Sequence, residues 1–130
     1  MDKEKIKLLE ASFGAIYAHK GDLAACFYKH LFDLAPETQA MFHNGNYVRK
    51  EMMIAMLATT IRLLSRPEAF HKMSIRLAKK HENVGVTQAQ YLIGVDAMIL
   101  ALCDILRDQL TAEAEAAWRQ AMQEVVTCLA

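Results

Sequence analysis

Apolar residues recur at intervals of three and four positions along almost the whole chain, with charged residues between them. Residues 3–18 show this clearly, because Ile6, Leu9 and Phe13 share one helical face while lysines and glutamates lie opposite. No stretch alternates with the period of two that marks a half-buried strand. The pattern predicts an all-α chain of seven helices, at residues 3–18, 22–34, 36–42, 47–64, 65–83, 88–109 and 111–129.

Residues that favour helix ends lie at most of the predicted boundaries. Gly21 is expected to interrupt the helical structure between the first two helices. Ser65 with Glu68, and Thr87 with Gln90, have the spacing of a capping box, in which two side chains satisfy the first backbone N–H groups of a helix.

Size, composition and charge limit the class of protein. The chain has 130 residues, 54% of them hydrophobic, which suits one domain over residues 1–130. Fifteen basic and fifteen acidic residues cancel, so overall charge favours neither nucleic acid nor an anionic membrane as a partner. Because the N-terminus lacks an apolar signal core and no stretch approaches the ~18 apolar residues of a membrane span, we expect a cytoplasmic protein.

Three cysteines, Cys26, Cys103 and Cys128, are an odd number at no metal-like spacing. Each lies in an apolar helical pattern. We interpret them as small buried hydrophobic residues of a protein in a reducing compartment.

His81 follows the apolar residues Phe70, Met73 and Leu77 on one face of its predicted helix, just before a glycine stop at Gly85. Taken alone, such a histidine is more often a hydrogen-bonded core residue than a ligand. The sequence has no HExxH, CxxC or CxxCH motif, and no glycine-rich phosphate loop. Zinc is poorly supported because no second ligand shares the face of His81.

A set of residues in fixed order makes a ligand role for His81 the better interpretation. It consists of Phe-Tyr-Lys-His-Leu-Phe at 27–32, Pro36, the pair Met41–Phe42, the pair Lys80–His81, the pair Gly85–Val86, and Tyr91. In this order and at these intervals, the chain resembles the globin domain of bacterial flavohaemoglobins and single-domain bacterial haemoglobins. The resemblance covers essentially the whole chain and implies a globin fold, with helices packed around a haem b whose iron the protein binds.

The resemblance also implies residue roles. His81 matches the proximal iron ligand, and Phe42 matches the phenylalanine that packs flat on the porphyrin. Tyr28 matches the distal tyrosine, whose O–H can hydrogen-bond bound dioxygen. Val86 is expected at the haem edge, and Lys80 within reach of a propionate.

The distal side departs from the family. Family spacing places Arg49 at the distal gate, where relatives usually carry glutamine or leucine, and Met53 one turn deeper over the iron, with Leu57 further along the apolar face. Arg49 either turns outward to a propionate or folds in toward the bound gas. A shift of one residue would move these roles to Lys50 and Met52. Iron ligation by the methionine sulfur would instead make the protein a six-coordinate electron carrier.

On the proximal side, Tyr91 matches a tyrosine that joins a glutamate to polarise the proximal histidine in flavohaemoglobins. The chain stops twelve residues after Trp118, before the expected place of that glutamate, and Glu124 is too early to replace it. Peroxidase-like activity that depends on this carboxylate is therefore not expected.

The resemblance implies a protein that reversibly binds dioxygen and other diatomic gases such as nitric oxide and carbon monoxide. Because the flavin- and nicotinamide-binding domains of flavohaemoglobins do not follow, oxidation of nitric oxide to nitrate would require a separate reductase. A haem-based gas sensor, an electron carrier and a haem-free helical regulatory domain remain the alternatives, and the protein is expected to be a monomer or a homodimer.

Overall fold

In a computed structural model, the backbone is described for residues 1–45 and 50–129, and the side chains for the same residues except 43–45, 50, 81–84, 128 and 129. These ranges contain helices and turns and no strand, so the predicted all-α class is confirmed. The helices are α1 (Lys3–Ala18), α2 (Lys20–Leu34), a 3₁₀ helix (Pro36–Gly45), α3 (Lys50–Leu63), α4 (Pro67–Val84), α5 (Gln88–Leu106), a short 3₁₀ helix (Arg107–Gln109) and α6 (Ala112–Leu129).

Several predicted helix ends are confirmed by their hydrogen bonds. The capping box of α5 is complete, since the Gln90 backbone N–H donates to the Thr87 hydroxyl and the Thr87 N–H donates to the Gln90 side chain. Thr111 caps α6 by accepting from the backbone N–H of Ala114 at 3.1 Å. Gly85 follows α4 with φ +82°, a conformation that glycine adopts without steric cost.

Other boundaries differ from the prediction. Gly21 lies within the first turn of α2, because the chain turns at His19, whose N–H donates to Ile16 O. The Ser65 capping box is not formed among the described residues: α4 begins at Pro67, whose ring suits the first helical position. The helix predicted over 88–109 ends at residue 106, because Arg107 has φ 48° and begins the short 3₁₀ turn.

Helices α2, α5 and α6 form the centre of the fold. Helix α2 packs on α5, and α6 packs on α1, α4 and α5. Trp118 of α6 is fully buried, and its Nε1–H donates to the Ser12 Oγ of α1 at 2.7 Å. On the surface, His30 of α2 pairs with Asp104 of α5, with Nε2 and Oδ2 2.5 Å apart. The packing of α2 on α5 therefore sets the position of α2 for the site described below.

Burial corrects three expectations from the apolar pattern. Leu34, whose spacing from Leu23, Phe27 and Leu31 predicts a place on one apolar stripe, is 48% exposed, whereas Tyr28 beside that stripe is buried. Cys26 and Cys103 are free thiols that are only half-buried. A helical period shows which residues share a face, but the position of the neighbouring helix decides how much of that face is covered.

Residues 88–109 also correct the expectation that no stretch is apolar enough for a membrane span. Their mean hydropathy is 1.7, and by length and composition alone they form the one such helix among the described residues. In this fold, Ala97, Ile99 and Leu102 of that stretch belong to the hydrophobic core.

Two buried serines allow a matched test of the packing. Ser12 accepts the Trp118 bond, whereas the hydroxyl of Ser74 in α4 is fully buried and has no partner among the described residues. We expect Ser12→Ala to lower the free energy of unfolding by about 1–3 kcal/mol, because it leaves the indole N–H unpaired. Ser74→Ala should leave it unchanged or raise it by up to about 1 kcal/mol, since it removes an unpaired hydroxyl. Urea unfolding measures both, and a Ser74→Ala variant less stable than Ser12→Ala would contradict the assignment.

Candidate functional site

A cavity of about 270 Å³ lies between two groups of helices. One wall is made by α2, the longer 3₁₀ helix and α3, and the other by α4, α5, α6 and the connection between α4 and α5. The volume is close to the lower end of the range for small-molecule pockets, about 300–1,000 Å³. Most of the lining side chains are aliphatic, aromatic or thioether groups. The cavity is therefore suited to a large apolar ligand.

An aromatic cluster of α2 and the 3₁₀ helix forms one side of this cavity. Tyr28 is 8% exposed, and its ring centroid lies 5.2 Å from that of Phe27, 5.9 Å from Phe32 and 5.1 Å from Phe42. The Tyr28 and Phe42 rings meet edge to face at 71°, a favourable aromatic geometry. Tyr28 and Phe42 both line the cavity. The cluster consequently fixes the direction of the Tyr28 ring.

Helix α3 turns one face toward the cavity and another toward solvent. Met53 and Leu57 are buried and line the cavity one turn apart, whereas Met52 is 49% exposed and does not contribute to the lining. Between the two methionines that the sequence left open, the geometry therefore favours Met53. Arg49 lies outside the described residues, and so does the side chain of Lys50.

The opposite wall contains Leu77 of α4, Val86 of the following connection and Tyr91 of α5. His81 belongs to α4, four residues after Leu77, and residues at this interval share one helical face. The His81 side chain lies outside the described part of the chain, so its role as ligand stays a prediction. Lys80 is exposed and lies outside the cavity lining.

The tertiary structure also adds residues that sequence reasoning did not assign to the site. They lie on every helix that borders the cavity and are Phe27, Leu31, Thr38, Met41, Met56, Thr60, Leu77, Gln90, Gly94, Val95, Met98, Trp118, Ala121, Met122, Val125 and Val126. The three-and-four spacing of Met122, Val125 and Val126 marks them as one apolar face of α6. That spacing is a signal for burial, but it does not distinguish a cavity wall from an ordinary core.

Polar groups in the wall are mostly engaged with the nearby backbone. The Thr38 hydroxyl donates to Ala35 O at 2.7 Å, and the Thr60 hydroxyl donates to Met56 O at 2.9 Å. The Gln90 side-chain oxygen accepts from the Thr87 N–H in the capping box. The phenol-bearing side chains of Tyr28 and Tyr91 also line the cavity.

The thiols of Cys26 and Cys103 lie outside the cavity lining, and both are poor nucleophiles. Burial raises the pKa of Cys26, and the Asp104 carboxylate raises it further. Burial likewise raises the pKa of Cys103, and Glu115, whose Oε1 lies 3.5 Å from the Cys103 Sγ, raises it again. Both groups therefore stay protonated at neutral pH. Within residues 1–45 and 50–129, the described side chains include no group of three or more His, Cys, Asp or Glu placed to hold a metal ion.

A second depression of about 320 Å³ lies between α1 and α3, where Glu10, Phe13, Ala58, Ile61 and Arg62 line it. It has few walls and carries opposite charges at its edge, so it lacks the enclosed apolar surface of a cofactor site. The cavity around Tyr28 is therefore the better candidate.

Comparison with known proteins identifies the class of this helical fold. The family model for globins matches residues 25–129, which is most of the chain. The chain therefore belongs to the globin family, as its resemblance predicted. Membership of this family implies haem binding.

The relatives include flavohemoprotein B of Dictyostelium discoideum, 21% identical over 126 residues, and a flavohemoprotein of Rhizobium meliloti, 25% identical over 126 residues. These alignments cover 96% and 95% of this chain but only 30% and 31% of the relatives. The chain thus spans about a third of the length of these proteins. An engineered carbene transferase from Rhodothermus marinus shares the fold, with a TM-score of 0.84 and 23% identity over 99% of this chain and 90% of that one.

Met53 and Met52 provide a test of the cavity wall, because they are neighbours in α3 with opposite exposure. We expect Met53→Ala to lower the free energy of unfolding by about 2 kcal/mol or more, because it removes buried contacts. Met52→Ala should change it by no more than about 0.5 kcal/mol. Equal effects in thermal or urea unfolding would show that α3 is rotated relative to this description.

Proposed function

We propose that this globin binds haem b in the cavity and reversibly binds dioxygen and other diatomic gases there. The observation that carries the proposal is an apolar cavity of about 270 Å³ that is lined both by Tyr28 and by Leu77, one turn before His81 on the same helix. This arrangement would allow His81 to hold the cofactor and Tyr28 to contact what the cofactor binds.

The apolar lining supports a ligand that fills this space. A bound group would remove this apolar surface from water and give its side chains contact partners on the cavity side, both of which are favourable.

The residues around the cavity fit a haem. Phe42, Met53, Leu57 and Val86 offer the apolar contacts that a porphyrin needs. His81 would ligate the iron through a neutral imidazole nitrogen, in the manner of proximal histidines. When bound, the haem iron supplies the coordination site for a diatomic gas. Lys80, which is exposed beside His81, would pair with a propionate at the solvent edge.

Tyr28 would donate a hydrogen bond to the bound gas. Its ring is buried among three phenylalanines, which restrict its rotation and keep its phenol group at the cavity wall. A donor held in position loses little entropy on binding and acts more strongly in an apolar environment than in water. Arg49, at the distal gate by family spacing, would add a positive donor or pair with a propionate.

A secondary activity is oxidation of nitric oxide to nitrate with electrons from a separate reductase. Its support is the naming of the relatives as flavohemoproteins. The structural neighbour is also described as a candidate nitric oxide dioxygenase. We place this activity in the cytoplasm, where reduced electron carriers are available.

An electron carrier is the second candidate function. Met53 is buried in the wall formed by α3, so its thioether is positioned to compete for the iron. Absorption spectra of the ferric, ferrous and ferrous-carbonyl forms separate the two functions, because a methionine-ligated iron resists carbon monoxide whereas an open iron binds it.

The ligand role of His81 is testable with His71 as a control, since both belong to α4 and His71 is exposed on its outer face. The purified protein should show an intense Soret band with one haem per chain. His81→Ala should lose the bound haem or change its spectrum strongly, whereas His71→Ala should retain both. Full, stoichiometric haem with an unchanged spectrum in His81→Ala would refute the assignment, and colourless wild-type protein that refuses haemin would refute the proposed function.

The role of Tyr28 is testable by the rate of dioxygen release. Tyr28→Phe removes one hydrogen bond to a partly charged ligand, worth about 1.5 kcal/mol or more, so we expect release to accelerate about tenfold or more. Tyr17→Phe is the matched control, because Tyr17 is half-exposed on α1 and outside the cavity. Stopped-flow displacement of dioxygen by carbon monoxide gives both rates. An unchanged rate in Tyr28→Phe would exclude the hydrogen bond.

A further inference from the structure

Charge is segregated along this neutral chain. Residues 52–81 contain six lysines and arginines and one acidic residue, for a formal charge of +5. Residues 82–130 contain two arginines and seven acidic residues, for a formal charge of −5. The balanced total therefore conceals a strongly basic segment, most of which is α3, α4 and the turn between them.

The outer face of α4 concentrates this positive charge. Lys72, Arg76, Lys79 and Lys80 are all exposed, and they lie within about 12 Å along the helix axis. Ile75 lies between them and is 41% exposed, so it offers apolar surface among these charges. We call these five residues the basic face of α4.

No ion pair to the basic face is seen among the side chains that the structure describes, which exclude that of Glu82. In the described part of the chain, ion pairs join Lys7 to Glu4, His30 to Asp104 and Arg119 to Asp96, and none involves the basic face. Several like charges close together produce a positive potential that extends about one Debye length, roughly 10 Å at 0.1 M salt.

The same helix has the cavity on its other side. Leu77 lines the cavity, while Arg76 beside it is exposed on the outer face. A helix with its side chains is about 10–12 Å thick, so a protein bound to the basic face lies one helix away from the contents of the cavity. The position suits a partner that exchanges electrons with a bound cofactor.

We propose that the basic face of α4 is the docking surface for a small, acidic one-electron carrier protein. The inference rests on the proposed haem function and names the kind of reductant that it requires. In this exchange, the reduced carrier loses one electron and the cofactor in the cavity gains it, while no covalent bond forms or breaks. Complementary charge steers the encounter, and Ile75 supplies a small dehydrated contact at its centre.

The size and chemistry of the surface favour a protein over other anionic partners. Weak electron-transfer encounters use small interfaces, below about 1,200 Å², which one helical face can supply. The basic face contains no aromatic side chain, whereas single-stranded nucleic acids bind mainly by stacking on aromatic rings. It also lacks the broad apolar face with which amphipathic helices enter a membrane surface.

Two double variants with the same change in net charge test the proposal. Lys72→Glu/Lys79→Glu reverses two charges of the basic face, and Lys3→Glu/Lys7→Glu reverses two exposed charges of α1. The first readout is binding of an oxidised, strongly acidic two-iron two-sulfur ferredoxin to the haem-loaded ferric protein, measured by isothermal titration calorimetry at about 20 mM salt. We expect the α4 variant to bind at least about tenfold more weakly than wild type and the α1 variant to bind within about twofold of it.

The second readout is the rate at which the photoreduced ferredoxin reduces the ferric protein in stopped flow. The second-order rate constant should fall about tenfold or more in the α4 variant. In wild type it should fall similarly on raising salt to about 0.5 M. Reduction by dithionite should be equal in all three proteins. Equal losses in the two double variants, or a rate insensitive to salt, would overturn the proposal.

Further controls identify the class of partner and separate this proposal from the haem function. A basic cytochrome c should not bind, and tighter binding of a single-stranded oligonucleotide or of phosphatidylserine vesicles than of the ferredoxin would overturn the assignment of a protein partner. The absorption spectrum taken before any carrier is added tests haem binding alone. A protein that fails to bind haem is therefore distinguishable from a haem-loaded protein that does not use its basic face.

Discussion

The need to hold open a large apolar cavity is the constraint on which the rest of this structure depends. Side chains at its wall have no protein neighbours on one side, so the surrounding helices must be held in place by other contacts. The α2–α5 packing and the buried bond between Trp118 and Ser12 provide such contacts. They hold the helices together around the space that we propose for the cofactor.

Helix α4 combines two functions because a helix has two opposite faces. Leu77 on the inner face lines the cavity, and His81 follows it by one turn, so the cofactor and this helix are in contact in the proposed complex. The outer face carries exposed cations around Ile75. A ligand site and a surface for its reductant can therefore occupy one helix, which would keep the electron path short.

Sequence reasoning predicted the helical class and most helix ends, because caps and stops such as Thr87 and Gly85 act within a few residues. It failed where contacts between distant parts of the chain determine burial or the start of a helix. Leu34 continues the three-and-four spacing of α2 but is exposed. Ser65 has the right spacing for a cap, yet Pro67 begins the helix. The net charge of zero likewise gave no indication of the basic face, since a net charge does not show where the charged residues lie.

The sequence by itself determined the family, and it predicted which residues carry chemistry, because the order and intervals of Tyr28, Phe42 and His81 are properties of the chain. Only the tertiary structure decided which groups meet. Met52 and Met53 are equivalent in a broad apolar pattern, and the position of α3 against the cavity buries one and exposes the other. A helical period limits the choice to a face about 100° wide, and only the neighbouring helices determine which residues within that face reach the site.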